Sequence, residues 1–137
     1  MSNAPSWSGG RLIELPEQEC WELIASRPVG RVAFDDGAGP TVLPVNHAVV
    51  AQAVRFRTAP HSALAAHLDG QRVAFEVDDV DEFHQSGWSV LVRGRARLLD
   101  RADSQDQEEP APWPAGQRPL LVEIETFSVT GRRLLAT

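Results

Sequence analysis

The sequence predicts a mainly β domain, an antiparallel barrel of six to seven strands with two short helices. Three observations lead there. Alternating or β-branched runs recur along the chain, most of them joined by short clusters of Gly, Asp and Pro, as in a closed antiparallel sheet. Only two stretches carry helical spacing. Finally, 137 residues with 42% hydrophobic content, four Trp and five Phe are enough for one packed core.

The elements follow in order. Residues 1–11 form a polar arm with no signal-peptide pattern, and residues 12–137 form a single domain. Pro16, Glu17 and Glu19 open the first helix, since proline fits a first turn and acids suit its positive end. Cys20, Leu23 and Ile24 fall at i, i+3 and i+4 and mark the buried stripe, with Trp21 beside it; Pro28 stops the helix. Residues 30–34 alternate as a strand and end in a turn cluster at 35–40. Residues 41–50 make a second extended run, in which Pro44 points to an edge or a bulge. Ala51 and Gln52 connect tightly to a strand at 54–58. A short helix fits residues 62–68, closed by Asp69 and Gly70. A strand at 72–77 precedes an acidic loop at 78–83. Residues 87–99 form a long strand with a bulge expected at Gly94. Residues 100–119 hold four prolines and many acids and amides, and read as a surface excursion. Strands at 120–127 and 129–135 complete the chain.

Charge and composition narrow the function classes. All thirteen basic residues are arginine, against nineteen acids, for a net charge of −6. An acidic surface without a basic footprint argues against nucleic-acid backbones as partners, and the absence of lysine removes lysine-dependent chemistry. No apolar run approaches the roughly 20 residues of a membrane span. The lone Cys20 forms no intrachain disulfide, and a cytoplasmic location is expected. His47, His61, His67 and His84 lack metal-ligand spacing, so no metal site is expected.

The most informative stretch runs from Phe56 through Arg57 and Thr58 to Ser62. A strand ends in a cation and a hydroxyl, turns, and enters a helix that opens on a second hydroxyl. A guanidinium beside free helix N–H groups suits a phosphate monoester. Equally, Ser62 can serve as a plain helix cap and Arg57 as a solvated strand residue. Arg93, Arg95 and Arg97 have strand period and share one face, where they could meet an anionic ligand, a dimer partner or solvent alone. Trp113 either covers a pocket or anchors its loop.

Ordered motifs add a resemblance. Residues 20–26 with Cys20 and Trp21, 29–34, 43–47 with Val45 and Asn46, 56–60 with Ser62, 73–78, 87–94 with Trp88 and Ser89, 112–116 and 129–133 match in sequence order. The chain so resembles the short flavin-binding relatives of pyridoxamine 5′-phosphate oxidase, which have the split β-barrel fold. That resemblance implies FMN at a homodimer interface, with a deazaflavin coenzyme or haem as alternative ligands. It places backbone groups near Val45 and Asn46 at the polar edge of the ring. Arg57, Thr58 and Ser62 match the positions that hold the phosphate, and Trp88 and Ser89 border the flavin. The implied chemistry is hydride or two-electron transfer on an unnamed small substrate. Two departures matter. Relatives carry a lysine where this chain has Ala63, and the substrate-phosphate cluster of true pyridoxamine 5′-phosphate oxidases is not found, so that particular activity is not expected. The rival reading is a non-catalytic module that binds or senses a planar ligand; His47 is the one candidate proton donor that separates them.

Overall fold

The computed structural model describes residues 11–59, 62–99 and 120–136. The excursion at 100–119 with Trp113, the arm up to residue 10, and His61 lie outside the described residues. In chain order the elements are β1 (Arg11–Glu14), α1 (Glu17–Ala25), β2 (Val29–Asp35), β3 (Pro40–Val50), β4 (Ala53–Thr58), α2 (Ala63–His67), β5 (Arg72–Asp81), β6 (Ser86–Leu98) and β7 (Leu120–Leu135). The strands line up as β1-β7-β4-β3-β2-β5-β6, and β6 pairs back onto β7. Strands β2 to β7 therefore close a six-stranded antiparallel barrel, and β1 rides on β7 as a seventh strand. The expected fold class is the observed one.

Alternation builds the core. Val32 and Phe34, Val54 and Phe56, Val73, Phe75 and Val77, Trp88, Val90 and Val92, and Val122 and Ile124 all turn inward and are buried. From α1, the buried Cys20, Trp21 and Ile24 join this cluster, as do Leu64 of α2 and Leu68 at its C-terminal cap. Helix α1 packs against β3, β5, β6 and β7. No helix among the described residues is long and apolar enough to cross a membrane.

Several boundaries differ from the sequence expectation. The acidic residues 78–81 are not a loop: Asp78 to Asp81 continue β5, paired in register with Ser89 to Ser86. The last two strands are one, β7, running through residue 128. The bulge expected on β6 at Gly94 leaves its extra residue on β7 instead. Register passes from Arg93↔Ser128 to Gly94↔Thr126, so Phe127 has no partner. Gly94 is the close contact that allows this, because a Cβ there would overlap the Glu125 carbonyl oxygen. Ala51 and Gln52 form a two-residue hairpin turn with φ of 49° and 60°, as a turn matched to strand twist requires.

The feature that positions a site is an opening in the sheet. Strand β3 pairs with β4 only from His47↔Phe56 to Val50↔Ala53. Beyond His47, the first half of β3 has β2 as its only strand partner among the described residues, while Arg57 and Thr58 of β4 stay paired with Leu121 and Leu120 of β7. Pro44, which lacks an N–H to donate, lies on this one-sided half, in keeping with its expected edge position.

Candidate functional site

Five of the seven sequence-derived site residues border that opening. Val45 and Asn46 stand on the β3 bank, Val45 half-buried and Asn46 exposed. Arg57 and Thr58 stand on the β4 bank, and Ser62 follows just before α2. Thr58 is buried, and its hydroxyl lies 3.0 Å from that of Ser62. Ser62 Oγ also accepts from the Ala65 N–H at 3.1 Å and so caps α2. The capping role foreseen for Ser62 is therefore real, and it ties the helix start to the end of β4. Helix α2 is five residues long, so its dipole adds little to the charge of Arg57.

Trp88 and Ser89 lie elsewhere. They border a groove of about 490 Å³ whose lining includes Asp78, Val80, Arg132 and Leu134 but none of the other five. Ser89 pairs with Asp78 on one side and Arg132 on the other. The seven residues thus fall into two separate groups on one chain.

His47 does not face either of them. It shares the inward face of β3 with Leu43 and Val45, is buried, and sits edge-on to Phe75 with ring centroids 4.9 Å apart. Its Nε2 lies 2.9 Å from the Ile24 carbonyl, which can only accept, so Nε2 carries the proton. Nδ1 is buried with no hydrogen-bond partner among the described residues. Burial holds the imidazole below its ordinary pKa, so His47 is a neutral core residue. The alternation of residues 43, 45 and 47 already carried that signal. Cys20 is likewise internal, its thiol pushed upward in pKa by burial and then by Glu19 and Glu17. Such a thiol is a packing group.

One ionisable cluster was missed. Arg31 on β2 reaches Glu76 at 3.1 Å and Asp78 at 3.4 Å on β5. Burial, then the hydrogen bond and charge of Asp78, push Glu76 up to about 7 against the pull of Arg31. Sequence spacing shows that Glu76 and Asp78 share a strand face, but the facing Arg31 depends on register alone.

Comparison with known proteins agrees with this architecture. The family model described as pyridoxamine 5′-phosphate oxidase matches residues 16–133. An uncharacterized protein of Mycobacterium tuberculosis is 36% identical over 136 residues, spanning 94% of this chain and 90% of its own. The solved FAD binding protein from Mycobacterium smegmatis has a TM-score of 0.81 at 34% identity, covering 91% of this chain and 100% of that one. A Corynebacterium glutamicum structure, provisionally described as a pyridoxamine 5′-phosphate oxidase, has a TM-score of 0.74 at 30% identity, covering 92% and 95%. With most of its length matched and its barrel opened between β3 and β4, the chain belongs to the pyridoxamine 5′-phosphate oxidase family.

Proposed function

We propose that the chain is a cytoplasmic homodimer that binds a flavin, FMN first among them, and uses it as an oxidoreductase on a small molecule. The opening between β3 and β4 carries the reading. One bank offers the β3 backbone and the Asn46 amide, which suit the polar edge of a flavin ring. The other offers the Arg57 cation with the hydroxyls of Thr58 and Ser62, a donor set that fits a phosphate. A bound flavin supplies two-electron chemistry; the residues here bind and orient it. The M. smegmatis relative, described as FAD-binding, supports a flavin as the ligand class.

Strand register supports the homodimer reading. Asn46 pairs with Val29, Arg31 with Glu76, and Asp78 with Ser89, so Asn46 and Ser89 end one row across β3, β2, β5 and β6. They stand three strands apart in either direction around the barrel, on opposite sides of one chain. Within one chain the two groups cannot share a ligand, whereas Ser89 of the partner subunit brought against Asn46 completes one site from two half-sites.

The experiment is a parallel titration with FMN, FAD, riboflavin, a deazaflavin coenzyme and haem. Arg57→Ala is expected to weaken FMN by about tenfold, the ~1.5 kcal/mol of a charged hydrogen bond, and to leave riboflavin unchanged. Equal losses for both would make Arg57 a fold residue. A second reading, a flavin carrier without catalysis, is favoured by His47, since the one expected proton donor is turned into the core. Failure of a nicotinamide donor to reduce the bound flavin at a catalytic rate supports that reading; turnover sinks it.

A further inference from the structure

The basic stripe of β6 is only partly spoken for. Arg97 is held by Glu123 at 3.2 Å. Arg95 donates to the Gly70 carbonyl at 2.6 Å and forms no ion pair among the described residues, although Glu125 is its register partner. Arg93 is exposed and likewise has no carboxylate partner among them. Strand β5 adds a further cation, Arg72, directly opposite Arg95, with Ala74 opposite Arg93. Like charges facing each other across a ladder are mutually destabilising. Three guanidiniums therefore gather on a chain whose net charge is −6.

The bulge of β7 falls at the same place. Phe127, the residue without a register partner, is 53% exposed. The guanidinium carbons of Arg72 and Arg95 each lie 5.9 Å from its ring centroid, within cation–π range. Bulges re-aim side chains and recur beside binding sites. Beside the ring runs a groove of about 500 Å³, lined among others by Arg72, Arg93, Phe127, Ser128, Ala74 and Asp35. The Asp35 carboxylate is engaged by the Gly37 N–H at 2.8 Å. None of Arg57, Thr58 and Ser62 reaches this groove.

We propose that this groove binds a phosphate monoester carried on a flat heteroaromatic ring, the chemistry of a mononucleotide. Arg72 and Arg93, diagonal neighbours on adjacent strands, hold the phosphate, and Phe127 packs against the ring. Guanidinium forks suit phosphate geometry. An anion is repelled by most of this acidic surface, so the arginine cluster defines where it settles. A bound phosphate also relieves the repulsion between Arg72 and Arg95. The assignment does not depend on the flavin reading.

The test is calorimetric titration with AMP, adenosine and inorganic phosphate at low salt. AMP is expected to bind best of the three and to weaken with added salt. Arg93→Gln and Arg72→Gln should each weaken AMP about tenfold. Phe127→Ala should weaken AMP while leaving inorganic phosphate unchanged. Arg57→Ala should leave AMP binding intact. No binding at millimolar AMP, or binding lost with Arg57 and kept without Arg72 and Arg93, overturns the proposal. Both glutamine substitutions are at exposed positions, and melting curves of the variants separate lost binding from lost fold.

Discussion

His47 and Glu76 give the fold two titrations of opposite sign. Burial depresses His47 in the native state, so the unfolded chain takes up its proton more readily. Stability from this group falls as pH drops through the ordinary histidine value of about 6.5. Glu76 is raised in the native state to about 7. Its contribution is complete below the ordinary carboxylate value and is lost as pH rises through 7. Glu76→Gln mimics the protonated form. Its stability relative to wild type should therefore be more favourable at pH 8 than at pH 5, read from thermal melts in matched buffers. An equal difference at both pH values would mean that the carboxylate does not titrate near neutrality. At this scale the sequence was legible where neighbours in the chain are neighbours in space. Thr58, Ser62 and the cap on Ala65 lie within one turn. Where Trp88 and Ser89 lie relative to them was not legible, because motif order carries no register. The Arg31–Glu76 pair, 45 residues apart, could not be read at all.

Elements with one wet and one dry face were legible, and those without were not. Strand β2 and the start of β5 alternate cleanly, β4 alternates in sequence although Arg55 is buried as well, and both helices show their stripes or caps. Strand β1 is exposed at all four positions, so no alternation exists to read; pairing with β7 makes it a strand. The acidic end of β5 looked like a loop because Asp disfavours strands, yet the hairpin with β6 overrides that preference. The bulge at Phe127 shifts alternation by one residue, which split β7 in two. Packing of α1 against β7 gives a test at this scale. A Cβ on Gly131 would lie 2.7 Å from Cys20 Sγ and 3.2 Å from Val90 Cγ2. Gly131→Ala should destabilise by about 1–3 kcal/mol in urea unfolding, the usual range for overpacking. Adding Cys20→Ala should recover part of that loss, because the two sites share one contact. Strict additivity would place the strain elsewhere.

For the whole molecule, the outer faces of β2 and β3 expose Val29 and Val42, and the β5–β6 hairpin exposes Val80 and Phe83. A second copy that covers the β2–β5 face removes the first pair from water. Sedimentation at micromolar concentration should show a dimer, and Val29→Glu should shift it toward monomer without lowering the melting point of the barrel. A wild-type monomer would leave each half-site alone. The closed barrel was legible from strand count and turn chemistry, whereas the strand order that closes it was not, since that depends on which strands β7 joins. Strand β7 is the partner of β1, β4 and β6 together. Until β7 is made, any sheet of β2 to β6 lacks the strand that closes it. Both edges of that sheet stay unpaired throughout, the condition in which strands of different molecules find each other. The final seam joins segments far apart in sequence, so its loop-closure entropy comes late and in one step. Synthesis of this chain is thus a race between the arrival of residues 120–135 and the first collision with a neighbour.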